Sequence, residues 1–366
     1  VFSTVPVSRR FVFIAANFID TQTEIGNTNT FTPGPDDIDD NGDDWQPASG
    51  TMIPGVGYAA TASTLGPLPA PQQFPFVGAF NNGVITPTVA HVTGSTYADW
   101  NFIGNPYPSA IDTNAFFTVN SGTVNTIYLW SHATPENINA SGNEGANFAQ
   151  SDYAIISGSG VNTAGGSGVI PNDFVPSGQG FFIETLDASP ITFNNAMRVT
   201  GNNDQFFRSE TTETNRKVLW LNLSSDNGVA KQIAVAHLDG ATDSYDGSFY
   251  DVTENKSSAL AATFYSIISD SADEQFVIQG KDLNSLDLDE IIPLGFKTTI
   301  DVATLYTISI AQFEGDFYTN NDVYIKDDLL NTTHNLKTSD YTFTSEPGEF
   351  NNRFEIVFTT QALSID

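Results

Sequence analysis

The residues with the clearest capacity for chemistry lie in the run Asp37-Ile38-Asp39-Asp40-Asn41-Gly42-Asp43-Asp44. Oxygens at alternate positions, from Asp37, Asp39, Asn41 and Asp43, match the D-x-D-x-N-G core of a calcium loop, in which Gly42 allows the sharp turn. The twelfth position is Ala48 instead of the usual bidentate Glu, so a complete helix–loop–helix hand is excluded. The competing reading is a solvated acidic loop that turns at Asn41-Gly42. A second acidic group, Asp239, Asp243, Asp246 and Asp251, lies among glycines at 240 and 247, and an exposed, turn-rich loop is favoured there over a calcium site.

Other reactive patterns are sparse. The histidines, His91, His132, His237 and His334, are scattered, and none has the H-E-x-x-H spacing of a zinc protease. There is no cysteine, which removes disulfides, thiolate metal sites and cysteine nucleophiles. No G-x-S-x-G elbow is present, and the Gly-rich stretch 158–168 lacks the lysine and following helix of a phosphate loop. With 43 acidic residues, chance carboxylate pairs are certain, so they do not argue for a glycosidase. Trp45, Trp100 and Trp130 are candidate platforms for sugar stacking, with core packing as the competing role. Asn105-Pro106-Tyr107-Pro108-Ser109 fixes the backbone on both sides of Tyr107 and is read as a structural corner before a binding site.

The elements that must position these residues are strands. The chain holds 28 Phe, 12 Tyr and 4 Trp, with turn-forming residues abundant and helix formers few. Leu219, Leu221 and Leu223 alternate, as do Ile233 and Val235, Phe276 and Ile278, Tyr306, Ile308 and Ile310, and Phe354, Ile356 and Phe358. Asn82-Gly83 predicts a hairpin turn between 76–80 and 84–86, Asp112 predicts a helical turn through Phe117, and 157–167 reads as a mobile loop. The stretch 257–269 is expected to be a loop with one turn of helix. A polar seam near 200–214 divides the chain into an N-terminal β domain, 1–205, and a C-terminal β-sandwich domain, 206–366. The fold class is therefore all-β, with two sandwich or jelly-roll-like domains in tandem.

Thirteen basic residues face the 43 acidic ones, a formal net charge of −30. Nucleic acid and anionic membrane are excluded as expected partners, because both need clustered Lys and Arg, and a cation such as calcium is expected to relieve the self-repulsion. No apolar run reaches the ~18 residues of a membrane span.

Several phrases occur in a telling order. They are Pro54-Gly55-Val56-Gly57-Tyr58, Asn101-Phe102-Ile103-Gly104-Asn105-Pro106-Tyr107-Pro108-Ser109-Ala110-Ile111-Asp112, Ile127-Tyr128-Leu129-Trp130, Gly178-Gln179-Gly180-Phe181-Phe182-Ile183 and Phe193-Asn194-Asn195-Ala196-Met197-Arg198. Trp220-Leu221-Asn222-Leu223, Gly240-Ala241-Thr242-Asp243, Ile292-Pro293-Leu294-Gly295-Phe296 and Val323-Tyr324-Ile325-Lys326-Asp327 follow. Together they resemble the passenger region of cell-surface proteins exported by the type IX secretion system of Bacteroidota. Such proteins usually continue into a C-terminal sorting domain, expected here either to be cleaved on attachment or not to be included in this sequence. The resemblance implies export across the outer membrane and an extracellular or cell-surface location. It implies no single activity, since passengers include adhesins, filament components and hydrolases. The expected role is a non-catalytic structural or adhesive module that contacts a glycan or neighbouring copies and is able to form a homo-oligomer or filament. The alternative is a carbohydrate-binding accessory region of a secreted polysaccharide-degrading enzyme.

Overall fold

A computed structural model describes residues 4–7, 12–15, 28–31, 45–48, 51–60, 70–73, 79–92, 99–131, 152–203, 216–226, 228–254, 261–271, 273–302 and 304–360. The first part of the chain forms β1 (Thr4–Val7), β2 (Val12–Ala15), β3 (Thr28–Phe31), β4 (Trp45–Pro47), β5 (Gly57–Ala60), β6 (Ala70–Gln73), β7 (Trp100–Gly104), β8 (Ile111–Asp112), α1 (Thr113–Val119), β9 (Thr126–Trp130), β10 (Tyr153–Ser157), β11 (Phe174–Val175) and β12 (Gly180–Glu184). The rest forms β13 (Lys217–Ser225), β14 (Ala230–Leu238), β15 (Val252–Thr253), β16 (Ala262–Ser266), β17 (Phe276–Asp282), β18 (Ile291–Thr298), β19 (Leu305–Glu314), α2 (Asp316–Asn320), β20 (Tyr324–Asp327), β21 (Thr332–Asn335), β22 (Tyr341–Thr344) and β23 (Gly348–Val357). The protein is all-β, with sandwich-like layering.

Two compact units emerge. The first comprises 1–130, 142–145 and 171–209, and the second comprises 131–141, 146–170 and 210–366. The excursion that carries β10 into the second unit is what a linear division of the chain omits.

In the first unit, an antiparallel sheet of order β2-β5-β3-β4 accompanies a second of order β9-β12-β7. The strands of the second sheet read as continuous apolar runs because both faces are covered. On one face Phe102 pairs across with Phe182, and Phe182 with Tyr128. On the other, Phe181 meets Phe116 of α1 edge to face at 6.0 Å, and Phe116 lies 5.2 Å from Phe193. α1 begins as expected, with Asp112 Oδ1 accepting from Ala115 N at 3.0 Å. A Cβ at position 57 would sit 2.7 Å from Phe102 Cδ1, so Gly57 lets β5 lie directly on that ring. Asn82-Gly83 does turn the chain, with Gly83 at φ +82°. Beyond it Ile85 bridges Phe193, and residues 76–78 of the expected hairpin lie outside the described residues.

In the second unit one extended sheet runs β21-β20-β23-β18-β16-β17-β14-β13-β19-β22, with β15 also paired to β17. It is antiparallel apart from the parallel pair β14 and β17. The sheet folds over itself around a single apolar cluster, since Phe296 of β18 meets Tyr306 of β19 at 4.9 Å and Phe343 of β22 at 5.2 Å. Leu219, Leu221, Leu223, Ile233 and Val235 form the inward row that the alternation predicts.

Two expectations are corrected here. Residues 262–266 are the strand β16, not a loop with a helical turn, because Ala262 and Phe264 complete the apolar core while the backbone pairs with β18. The stretch 157–167 is not free: Val161, Asn162, Thr163 and Ala164 are buried, and Thr163 bridges Ile155. Polar groups of the sheet hold it. Trp220 Nε1 donates to Asn162 O at 2.7 Å, and Gln232 Oε1 accepts from Ala164 N at 2.8 Å. Arg216 Nη1 donates to Gly160 O at 2.5 Å.

Candidate functional site

The first unit builds a corner from the phrase around Tyr107. Asn105 is fully buried, and its side-chain amide donates to the carbonyls of Ser109, Val175 and Pro176 at 2.9, 3.0 and 3.0 Å, while its Oδ1 accepts from Tyr107 N at 3.0 Å. One short side chain thereby satisfies backbone groups from two separate loops that a strand would otherwise have to pair. Tyr107 is also fully buried, and burial pushes its phenol up to about 12 despite the nearby Arg198 charge. The phenol therefore stays a donor, and it bonds to Gly83 O at 2.5 Å. The same loop is held at Asn81, whose amide donates to Pro106 O at 3.0 Å, and at Gly83, whose N–H reaches Asn195 Oδ1 at 3.1 Å. Ile85 and Phe193 exchange backbone bonds of 3.0 and 2.8 Å.

This pinned loop turns apolar side chains outward. Phe80 is 62% exposed and Val84 70%. On the neighbouring turn, which abuts Ile85 and Pro87 at Gly55, Ile53 is 61% exposed, and its N–H is held by Tyr58 OH at 2.7 Å. Arg198 flanks the loop, with its guanidinium 5.3 Å from the Tyr107 ring centroid. Fixed backbone with exposed apolar groups is the arrangement of a preformed contact surface.

Asp37, Asp39, Asn41 and Asp43 lie outside the described residues, as do His132 and the side chain of Trp45. Trp100 is half-buried at the start of β7, 4.7 Å from Tyr128, while Trp130 ends β9. The strand pairing places these two tryptophans at opposite ends of their sheet. His91 Nδ1 lies 3.1 Å from both Thr185 O and Asp99 Oδ1, and His334 Nε2 lies 2.8 Å from Ser339 O.

The second acidic group is only partly the exposed loop the sequence suggests. Asp251 is fully buried and accepts from Asp246 N at 2.7 Å and Gly280 N at 2.9 Å. Burial nevertheless lifts its carboxyl to about 6. Asp246 accepts from Thr242 Oγ1 at 2.9 Å, and Asp243 from Ser285 Oγ at 2.9 Å. These carboxylates brace their own loop. Among the described residues no three His, Asp or Glu side chains are grouped to hold a metal ion.

Sequence reading missed a buried ionic group in the second unit. His237 continues the inward row of Ile233 and Val235, and the parallel register sets it beside Lys281. Glu290, distant in sequence, reaches both: its Oε1 lies 3.0 Å from His237 Nε2 and 3.3 Å from Lys281 Nζ. Lys281 also lies 3.2 Å from Asp243 Oδ1. Among the described residues His237 Nδ1, Glu290 Oε2 and Tyr318 OH have no hydrogen-bond partner. Burial, then the Glu290 charge, holds the Tyr318 phenol well above its usual range. The arrangement neutralises a lysine where it enters the core. The signal that could have found it was the histidine at the third position of an inward-facing row.

One family model matches the chain, that of a domain of unknown function (DUF8693), across residues 4–358. No curated protein and no solved structure matches it.

Proposed function

The chain belongs to this family, and from that premise we propose that it is a secreted, non-catalytic module of a bacterial cell surface, structural or adhesive in role. The observation that carries this reading is the corner of the first unit, where Phe80 and Val84 stand 62% and 70% exposed on a loop held by Asn81, Tyr107 and Asn195. Ordering a surface before binding lowers the entropy that contact must overcome. The resemblance to type IX secretion passengers supports export, and the net charge of −30 supports solubility outside the cell and argues against nucleic acid as a partner. Calcium at Asp37, Asp39, Asn41 and Asp43 belongs to the same proposal, as does self-association into a filament.

The test is retention of the labelled protein on glycan-coated and protein-coated surfaces. The double change Phe80→Ser/Val84→Ser is expected to lower retention at least ~5-fold, as loss of a central apolar contact does. Unchanged retention, or turnover of a polysaccharide or peptide by the purified chain, overturns the reading. A second reading, a carbohydrate-binding accessory region, draws on the half-buried Trp100 beside Tyr128. In that case glycan binding disappears in Trp45→Ala and Trp100→Ala and is indifferent to the Phe80 loop.

A further inference from the structure

We propose that the Lys281 amine and the Asp243 carboxyl of the second unit condense into an amide cross-link within the chain, with Glu290 carrying the protons. The proposal goes beyond the contact surface of the first unit and does not depend on it.

The three groups that such a condensation needs are in contact. Lys281 Nζ, the nucleophile, lies 3.2 Å from Asp243 Oδ1 and 3.3 Å from Glu290 Oε1. The carbon to be attacked is one bond beyond that Asp243 oxygen, so amine and carboxyl are held close to attack geometry. The Lys281 side chain is 11% exposed and that of Glu290 7%. Withdrawal from water is what makes a lysine amine a nucleophile. Asp243, by contrast, is half-exposed, which gives the released water a way out.

The neighbouring groups divide the remaining roles. Ser285 Oγ donates to Asp243 Oδ1 at 2.9 Å, and the backbone N–H of Asp282 donates to the same carboxyl. Donors so placed would hold the negative oxygen of a tetrahedral intermediate. The loop that carries Asp243 is itself fixed: Asp246 accepts from Thr242 N and Oγ1, and Asp246 N donates to the fully buried Asp251. Glu290 suits the proton carrier. Its Oε1 is shared between Lys281 and His237 Nε2, 3.0 Å away, and its Oε2 is buried with no hydrogen-bond partner among the described residues. Buried polar atoms are ordinarily bonded, so an open oxygen beside the amine is an exception that proton transfer explains.

Desolvation raises the Asp243 carboxyl, but Ser285 and Lys281 together outweigh it and hold the group below its ordinary range. The pair therefore rests as ammonium and carboxylate. Reaction begins when Glu290 takes one proton from Nζ and passes it to Asp243 Oδ2. The neutral amine then attacks Cγ and the Nζ–Cγ bond forms. A second ammonium proton travels through Glu290 to Oδ2, and the Cγ–Oδ2 bond breaks to release water. One hydrogen stays on the amide nitrogen, and no oxidant, reductant or cofactor is consumed. The product ties the loop after β14 to β17, so a chain pulled from its ends could not extend residues 243–281.

The experiment weighs the unaltered full chain after denaturation. Most molecules are expected to be lighter than the sequence requires by one water, and digestion is expected to yield a peptide pair joined through Asp243 and Lys281. Asp243→Ala and Lys281→Arg are expected at sequence mass. Glu290→Gln is expected to leave most molecules unlinked, with thermal melts reporting that it is folded. The pairs Asp239-Gly240 and Asp246-Gly247 can also lose one water by forming succinimides, which hydroxylamine cleaves and an amide cross-link survives. An unaltered chain at sequence mass overturns the inference, and that measurement decides even where a variant fails to fold. Water loss that hydroxylamine reverses overturns it in favour of a succinimide. A bond mapped to Glu290 and Lys281, or a folded Glu290→Gln protein that is fully linked, overturns the assignment of roles.

Discussion

The two units solve the same problem with different chemistry. Both must satisfy polar backbone and side chains inside aromatic-rich β cores. The first does so with neutral amides. Asn101 pairs with Ala90 through bonds of 2.7 and 2.8 Å, much as a strand neighbour would, and Asn120 holds Thr192 in the same manner at 2.7 and 3.1 Å. Asn105 does this for three carbonyls. The second unit adds buried charge to such neutral bonds. Arg353, 3% exposed, bonds to the fully buried Asp327 at 2.9–3.2 Å and stacks over Phe343 and Phe354 at 4.6 and 4.7 Å. Asp327 also accepts from Tyr341 OH and from the turn amides of Leu329 and Leu330. Amides bond identically across the pH range, whereas ion pairs and buried carboxyls tie stability to protonation. The first unit also holds His91 beside Asp99 and a half-buried Glu184 whose carboxyl is raised by burial, so the two units differ in how heavily their cores lean on charge, with the Arg353–Asp327 pair placing more of it in the second.

The strongest way to break this contrast is to remove one charge from the second unit. Asp327→Ala leaves Arg353 buried and unpaired and is expected to destabilise that unit by about 3–5 kcal/mol, measured by denaturant unfolding. A loss below 1 kcal/mol would mean the pair is not a keystone. In the first unit, Asn105→Ala strands buried carbonyls and an amide, and a loss of about 2–3 kcal/mol is expected, with the same value at pH 5 and pH 7. A pH-dependent loss would blur the distinction between the units. Calcium sharpens it from the other side. Ten times its dissociation constant would stabilise the chain by about 1.4 kcal/mol, and Asp39→Asn should cancel the gain in melting temperature. If no shift appears on adding calcium, the loop at 37–43 is a solvated one.

The smallest effect concerns Asp251. Its folded carboxyl sits near 6 against 3.8 unfolded, so between those values the folded state binds the extra proton. Its contribution therefore improves stability as pH falls through 6 toward 4, and that gain is lost as pH rises. Against Asp251→Asn, the unaltered chain should lose stability more steeply from pH 5 to pH 7. Parallel pH profiles would reject the assignment.

What could be read in the sequence follows the range of the interactions. Period-two alternation at Leu219, Leu221 and Leu223 reports a local backbone preference, so the strands were legible. Asp112 was legible as a cap because its partner, Ala115, is three residues away. The corner at Asn105 was visible through its prolines, yet its bonds to Val175 and Pro176 were not, since nothing local distinguishes a stapling asparagine from a turn asparagine. The same limit hid Glu290 from His237. The Gly/Ser-rich stretch 157–167 misled for a different reason: small residues that suit a free loop equally suit a segment packed against Trp220. The calcium pattern at 37–43 was a local signal, and its ligands fall outside the described residues.

That packed segment has a consequence for how the protein is made. Synthesis delivers β10 and Asn162 before any of β13 to β23, so the second unit waits for its main sheet while an early strand and its loop are already in hand. A fragment beginning at 210 would lack them. Trp220 would then lose the carbonyl acceptor of its indole N–H, and Gln232 the backbone amide it receives. The C-terminal half is therefore not a portable cassette. Any fusion or truncation that keeps it must also carry the excursion.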